Sequence, residues 1–236
     1  MFAREGFTTI ALVTVLALAV SGAASFLDHW TSYLIYALMA ILVGLILNFF
    51  RDPDRDIPDD EDLVLAPADG KVVLVNEVEE QVYMKRKAIQ ISIFLSVLDV
   101  HVNRNPVSGI LEYLKYHPGV YLMAWDHEAS ELNERADFGV RHPSGIKLFY
   151  RQITGFLARR VVYHVSENDQ LQAGRRFGMM KFGSRMDILV PTDTELLVEE
   201  GDRTTAGETV LGRLRTDTAS ADPAIADTTE AALSGE

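Results

Sequence analysis

Two uncharged runs near the N-terminus constrain this chain most. Phe7 to Phe26, "FTTIALVTVLALAVSGAASF", and Thr31 to Phe50, "TSYLIYALMAILVGLILNFF", contain no charged residue. Each matches the ~20 residues a helix needs to cross a bilayer core. Only "LDHW" separates them, so residues 1–50 read as a tight transmembrane helical hairpin. Aromatic residues gather at its ends (Phe26, Trp30, Tyr33, Phe49, Phe50), where interfacial anchors belong. Arg4 precedes the hairpin, Arg51 and Arg55 follow it, and the turn holds no Lys or Arg. The positive-inside rule then sets both ends in the cytoplasm. The remaining chain is expected on the cytoplasmic side of the cell (inner) membrane. A cleavable signal peptide is the competing reading, because "VSGAAS" offers small residues. Against it, Glu5 offsets Arg4, and the second run would persist as an anchor.

Charge narrows the partners. The formal net charge is -12, which argues against nucleic acid, since phosphate binding needs a basic face. It also argues against adhesion to an anionic bilayer by charge alone. There is no cysteine, so disulfides, cysteine nucleophiles and thiolate metal sites are excluded.

After the hairpin, Arg51 to Asp62, "RDPDRDIPDDED", reads as a charged, proline-bearing linker. From residue 63 to 215 the pattern is mainly β. "AIQISIFLS" alternates cleanly, with Ile89, Ile91 and Ile93 on one face, and "GILEYLKY", "IKLFYRQI", "RRVVYHV" and "RMDILVP" are further short strands. "AWDHEASELNERADF" is the least β-like stretch. "ELLVEEGDRTTAGETVLGRL" predicts two short strands around Gly201 and Gly207. "APADGKVV" and "VEEGDRTTAGETVL" resemble the ends of a biotinyl/lipoyl-type β-sandwich, in which Asp69-Gly70 would be a structural hairpin turn. The expected fold is therefore mainly β (α+β): a lipoyl/biotinyl-like sandwich core behind a membrane hairpin. Residues 216–236 are acidic and core-poor and are expected to be disordered.

Few residues carry chemistry. Gly183-Ser184, just before the strand of "RMDILVP", is either a bend or a reactive site. A serine hydroxyl needs a base to become a nucleophile. His101, where the strongest strand runs out into "HVNRNP", is a candidate base, and Asp69 or Asp99 could orient it, as the acid of a serine triad does. Each of these taken alone is more ordinarily a surface or packing residue. The other histidines (His29, His117, His127, His142, His164) lack metal-ligand spacing. "MKRK" at Lys85 to Lys87 reads first as a solvated charge run and second as a lipid-phosphate contact.

The combination is more specific. A membrane hairpin is followed by "FFRDPDR.IP", "APADGKV", "DVHVNR.P..G", "YHPG", "NER", "RQI.G..ARR", "QAG.RFG" and "KFGSR.D...P". From Phe49 to Pro191 this order resembles the phosphatidylserine decarboxylase proenzymes, in their short, hairpin-anchored branch. The resemblance implies self-cleavage between Gly183 and Ser184, giving a β chain of residues 1–183 and an α chain that begins at 184. Ser184 would attack the Gly183 carbonyl and convert the amide to an ester. Elimination and hydrolysis would then leave a pyruvoyl group and ammonia. That group would be the only cofactor, with no metal and no pyridoxal phosphate. Its ketone would take the amine of phosphatidylserine from the bilayer and release carbon dioxide and phosphatidylethanolamine. His101 would serve as base and later as proton donor, with Asp69, or less directly Asp99, holding it.

One departure matters. Longer members carry a second histidine three residues after the first, where this chain has Arg104. The division of labour between two histidines therefore does not transfer. Arg104 becomes a candidate for gripping the substrate carboxylate or phosphate. Rival readings are an archaetidylserine-type lipid decarboxylase, a membrane-anchored lipoyl-like binding module with an uncut chain, and a serine hydrolase. A homo-oligomer is left open.

Overall fold

The computed structural model describes residues 1–119, 133–155, 161–180 and 184–216. The predicted tail therefore lies almost wholly outside the described residues, as do Asp126, His127 and Gly183.

Two helices open the chain after a short 3-10 turn: α1 (Phe7–Ala24) and α2 (His29–Phe49). At a 1.5 Å rise they span ~27 and ~32 Å, close to the ~30 Å hydrocarbon core of a bilayer. Both are long and apolar enough to cross a membrane. Their turn has a local cause. Asp28 caps α2, its carboxylate accepting from the Thr31 amide at 3.1 Å and the Thr31 hydroxyl at 2.7 Å. The Ser32 hydroxyl donates to the Ala24 carbonyl at 2.7 Å, joining the helices where they reverse.

The open end of the hairpin docks on the β domain. The Ala3 amide donates to the Phe50 carbonyl, and the Asp52 amide to the Met1 carbonyl, both at 2.8 Å. Ala3, Phe49 and Phe50 form one buried cluster with Val100, Val102 and Met179. Gly6 has its place because a Cβ there would run into the Phe50 ring. Residues 51–62 have almost no regular structure, yet they are strapped down. Asp52 meets Arg104 and Arg176, Arg55 meets Asp69, and the Glu61 carbonyl meets His142.

The remaining described residues form fourteen strands: β1 (Leu63–Leu65), β2 (Gly70–Glu80), β3 (Arg86–Leu95), β4 (Val102–Arg104), β5 (Gly109–His117), β6 (Arg135–Arg141), β7 (Lys147–Thr154), β8 (Val161–Tyr163), β9 (Gln170–Leu171), β10 (Arg176–Met180), β11 (Ser184–Pro191), β12 (Glu195–Leu196), β13 (Arg203–Thr204) and β14 (Val210–Arg213). Eight make one sheet, β13-β2-β3-β11-β7-β6-β5-β9, and two three-stranded sheets run β1-β14-β12 and β4-β10-β8. The pairings between these strands are antiparallel. The core lies on the inner face of the large sheet, where Ile91, Ile93, Phe138, Tyr150, Met186 and Ile188 meet Phe177 and Leu211. Fully burying one such side chain contributes roughly 1.5–3 kcal/mol.

Several expectations need correction. Arg135 to Phe138, the end of the stretch with the least β-like sequence, belong to strand β6. The C-terminal stretch yields three short strands rather than two. Gly70 does not turn a hairpin: it opens β2, and a Cβ there would strike the Phe94 carbonyl of β3. Ile188 and Val190 face the core, and Leu189 on the opposite face is also buried, against Met84, Ala88 and Phe149. Central strand β11 is thus covered on both faces, and it takes in Ser184 ahead of "RMDILVP". "MKRK" lies at the hairpin joining β2 to β3, where Lys87 pairs with Glu77 at the surface. Ten residues of β3, ~30 Å of extended chain, separate it from the end of that strand nearest the anchor.

Candidate active site

Ser184 is placed by register. It opens β11 in the middle of the large sheet, opposite Leu95 of β3 and Thr154 of β7. Its Oγ is buried and accepts or donates no hydrogen bond among the described residues. An orphaned buried hydroxyl is costly, so it marks a group kept free for something else.

His101 is brought to the same region by the pairing of β4 with β10. The Met180 amide donates to the His101 carbonyl at 3.2 Å, and Met180 is the last residue of the strand that leads toward Ser184. The ring is buried. Its Nδ1 lies 2.9 Å from the backbone carbonyl of Asp99. A carbonyl only accepts, so Nδ1 carries the proton and Nε2 holds a bare lone pair. Nε2 has no partner among the described residues. Burial pushes the imidazole pKa down to about 4, against the Asp99 carbonyl and the more distant charges of Asp99 and Asp69. The ring is therefore neutral at pH 7, with the tautomer a general base requires.

The two carboxylates considered as orienters are engaged elsewhere. Arg55 donates to both oxygens of Asp69 at 2.9 Å, and the Ala206 amide donates to Oδ1 at 2.8 Å. Asp99 accepts from the Ser96 amide at 2.8 Å and from Arg203 at 2.6 Å. Burial alone would raise the Asp99 carboxyl, but its Ser96 and Arg203 partners outweigh that and hold it below the usual range. Neither carboxylate is hydrogen-bonded to His101; it is the main chain of Asp99 that holds the ring.

Arg104 also has protein partners. It donates to the carbonyls of Gly174 at 2.9 Å and Pro53 at 3.1 Å, and it meets buried Asp52 at 3.4 Å. With Arg55, Arg175 and Arg176 it lines a cleft of about 530 Å³. His101 immediately precedes β4, three residues before Arg104 and ~10 Å along the chain.

The family model described as phosphatidylserine decarboxylase matches residues 42–212. The chain belongs to the phosphatidylserine decarboxylase family. It is 49% identical over 201 residues to a phosphatidylserine decarboxylase proenzyme of Salinibacter ruber, covering 83% of this chain and 88% of that one. A proenzyme of the same name from Symbiobacterium thermophilum is 45% identical over 217 residues, covering 91% and 96%. One from Pelodictyon phaeoclathratiforme is 41% identical over 213 residues, covering 90% and 100%.

For a decarboxylase of this family, two features escape sequence reading. The first is Phe49. As an aromatic at a helix end it reads as an interfacial anchor, but its ring lies 4.3 Å from the His101 ring, centroid to centroid. The last turn of α2 thus packs against the ring of the candidate base. Nothing local in the sequence shows a contact across fifty residues. The second is a buried amide pair: Gln152 Nε2 donates to Asn103 Oδ1 at 2.8 Å, and Asn103 Nδ2 and Gln152 Oε1 have no partner among the described residues. Gln152 shares the face of β7 that carries Thr154, opposite Ser184. Asn103 stands inside the quoted "DVHVN", and that was the available signal.

Phe49 positions and dries His101, so Phe49→Ala admits water to the imidazole. The expected result is an acid limb of self-cleavage shifted up by about one pH unit or more, toward the ordinary histidine value. Phe49→Leu should restore most of the difference. A fall in melting temperature with an unmoved midpoint would assign Phe49 a purely structural role.

Proposed function

We propose that this chain is a proenzyme that cuts itself between Gly183 and Ser184, and that the product decarboxylates phosphatidylserine to phosphatidylethanolamine at a membrane. The observation that carries the reading is the buried Ser184 Oγ at the head of β11, which, like Nε2 of the neutral His101 imidazole, has no hydrogen-bond partner among the described residues.

In the first reaction His101 Nε2 accepts the Ser184 hydroxyl proton as Oγ bonds to the Gly183 carbonyl carbon. The amide becomes an ester and Ser184 gains a free amine. Loss of the Ser184 α-proton then expels the Gly183 carboxylate, and water releases ammonia. A base with a pKa near 4 is weak, which is tolerable for a reaction each chain performs once. Asp69 and Asp99 contribute negative charge that favours the transient imidazolium.

The residues fit the group this would leave. Ser184 sits in a buried position with an Oγ that has no hydrogen-bond partner among the described residues, and Phe49 packs on the His101 ring. When present, a pyruvoyl group supplies a ketone beside an amide carbonyl, which takes the substrate amine and draws off the electron pair left by carbon dioxide. His101 Nε2 removes a proton from the substrate ammonium and returns it to the α-carbon. An imidazolium destabilised by burial is a ready donor for that return. Arg104 and its neighbouring arginines are assigned to the anionic groups of the substrate through their cleft. Arg104→Met should raise KM for the lipid. It should also cost roughly 2–4 kcal/mol in a thermal melt, because Asp52 loses a buried partner. An unchanged KM would remove Arg104 from substrate binding.

The hairpin 1–50 anchors the enzyme, with both ends and the catalytic domain (63–215) on the cytoplasmic side of the inner membrane. The lipoyl-like sandwich belongs to this proposal too. It is supported by the two glycine-bearing segments meeting as such a fold requires: Gly70 pairs with Thr204, and the Gly207 amide donates to the Ala66 carbonyl at 2.8 Å. The test is purified protein in vesicles of phosphatidylserine labelled at the serine carboxyl. Labelled carbon dioxide and an equal yield of phosphatidylethanolamine are expected, both abolished by borohydride with an amine. Labelled carbon dioxide that survives that treatment would contradict the pyruvoyl reading.

A further inference from the structure

The link between β3 and β4 holds an anomaly. Residues 96–99, "SVLD", form a tight turn closed from both sides: the Asp99 amide donates to the Ser96 carbonyl at 2.9 Å, and the Ser96 amide to the Asp99 carboxylate at 2.8 Å. The corner positions of such a turn favour Pro, Gly, Asn, Asp and Ser. Here they are Val97 and Leu98, 44% and 64% exposed. Scattered exposed aliphatics are ordinary. Two in succession at the corner of a rigid turn are not explained by the fold.

Their surroundings supply the explanation. Arg51 donates to the Leu98 carbonyl at 2.9 Å and to the Asn48 carbonyl, in the last turn of α2, at 2.8 Å. One guanidinium therefore ties the tip to the end of the apolar hairpin. On the other side Arg203 holds Asp99 at 2.6 Å. Phe2, also exposed, pairs with Arg51 across a short β-bridge. Exposed apolar side chains and an arginine thus gather at one level, the base of the anchor, where arginines reach the interface of a bilayer. From the same turn the Asp99 carbonyl holds His101 Nδ1.

We propose that the Ser96–Asp99 turn is a second membrane contact, with Val97 and Leu98 seated among the headgroups and upper acyl chains of the leaflet entered by the hairpin. The contact fixes the height of His101 above the bilayer and opens the site at the depth of a lipid headgroup. A bilayer lipid then reaches the centre by lateral movement, without leaving its leaflet. This rests on the membrane-anchor reading of the hairpin.

Because the chain has no cysteine, single labels test the proposal cleanly. Leu98→Cys, Val82→Cys and Leu38→Cys full-length chains are labelled with an environment-sensitive fluorophore and reconstituted in phosphatidylcholine–phosphatidylglycerol vesicles. Val97→Cys replaces Leu98→Cys if that chain fails to fold. Leu38 lies within α2, and Val82 lies in the link between β2 and β3, at the opposite end of β3 from the turn. The probe at Leu98 is expected to lose about half its emission to lipids bearing a shallow quencher and to resist aqueous iodide. The probe at Val82 should do the reverse. If Leu38 is quenched by lipid while Leu98 behaves like Val82, the turn lies in water and the proposal falls alone. If Leu38 is also open to iodide, the anchor reading falls and takes the proposal with it. The extent of chain cleavage, read on the same samples, reports on self-processing separately.

Discussion

Replacing Ser184 by alanine leaves the chain whole, as one band on a denaturing gel where the native protein gives two. No other group at that position can form the ester, so the expected effect is complete loss of cleavage and of decarboxylation. The fold should survive. Ser184 Oγ is buried without a hydrogen-bond partner among the described residues, so removing it discards an unsatisfied polar group, at a cost within about 1 kcal/mol. A melting curve close to that of the wild type, with no cleavage, separates a chemical loss from a structural one. Continued cleavage in the Ser184→Ala chain would assign the cut to an outside protease.

His101→Gln is expected to slow self-cleavage by roughly 10²–10⁴, the usual worth of a positioned general base. The native pH profile carries a second signature. His101 acts only when neutral, and its pKa is lowered to about 4. The cleavage rate should therefore rise through a midpoint near pH 4 and stay flat through neutrality. A midpoint near 6.5 would mean an imidazole open to water. Stability runs the same way. The folded-state pKa is depressed, so the unfolded chain takes up a proton first as pH falls. The contribution is present above about pH 6.5 and is lost progressively as pH falls toward 4, up to about 3 kcal/mol. That loss should be missing from the urea unfolding of His101→Gln measured over the same range.

Much of this architecture is legible in the sequence because it follows from periodicity. The uncharged runs of α1 and α2 and the alternation in β3 and β11 each bury a face that a simple pattern records. β6 hides because its buried side chains include a charge. Asp137 lies in the sheet with Arg135, Arg151 and His117 around it, so apolar and polar residues do not alternate. Gly139 weakens the pattern further, and it is there because the Tyr83 ring packs where a Cβ would project.

The site divides in the same manner. Ser184 and His101 stand out in the sequence as candidates because the proposed chemistry demands those residue types in a quoted block. The group that orients His101 was not, because a backbone carbonyl has no residue identity. Asp69 and Asp99 drew attention as acids, yet their carboxylates bind arginines. Phe49 was visible as a membrane aromatic, but its contact with His101 arises only when the hairpin folds back onto the sheet.

The most direct test of the central claim is the intact mass of the wild-type protein after purification in detergent. Two chains are expected, one ending at Gly183, the other spanning 184–236 and lighter by one ammonia than the same segment begun with serine. A single chain of 236 residues, or a cut chain that begins with a free serine, would contradict self-conversion of Ser184.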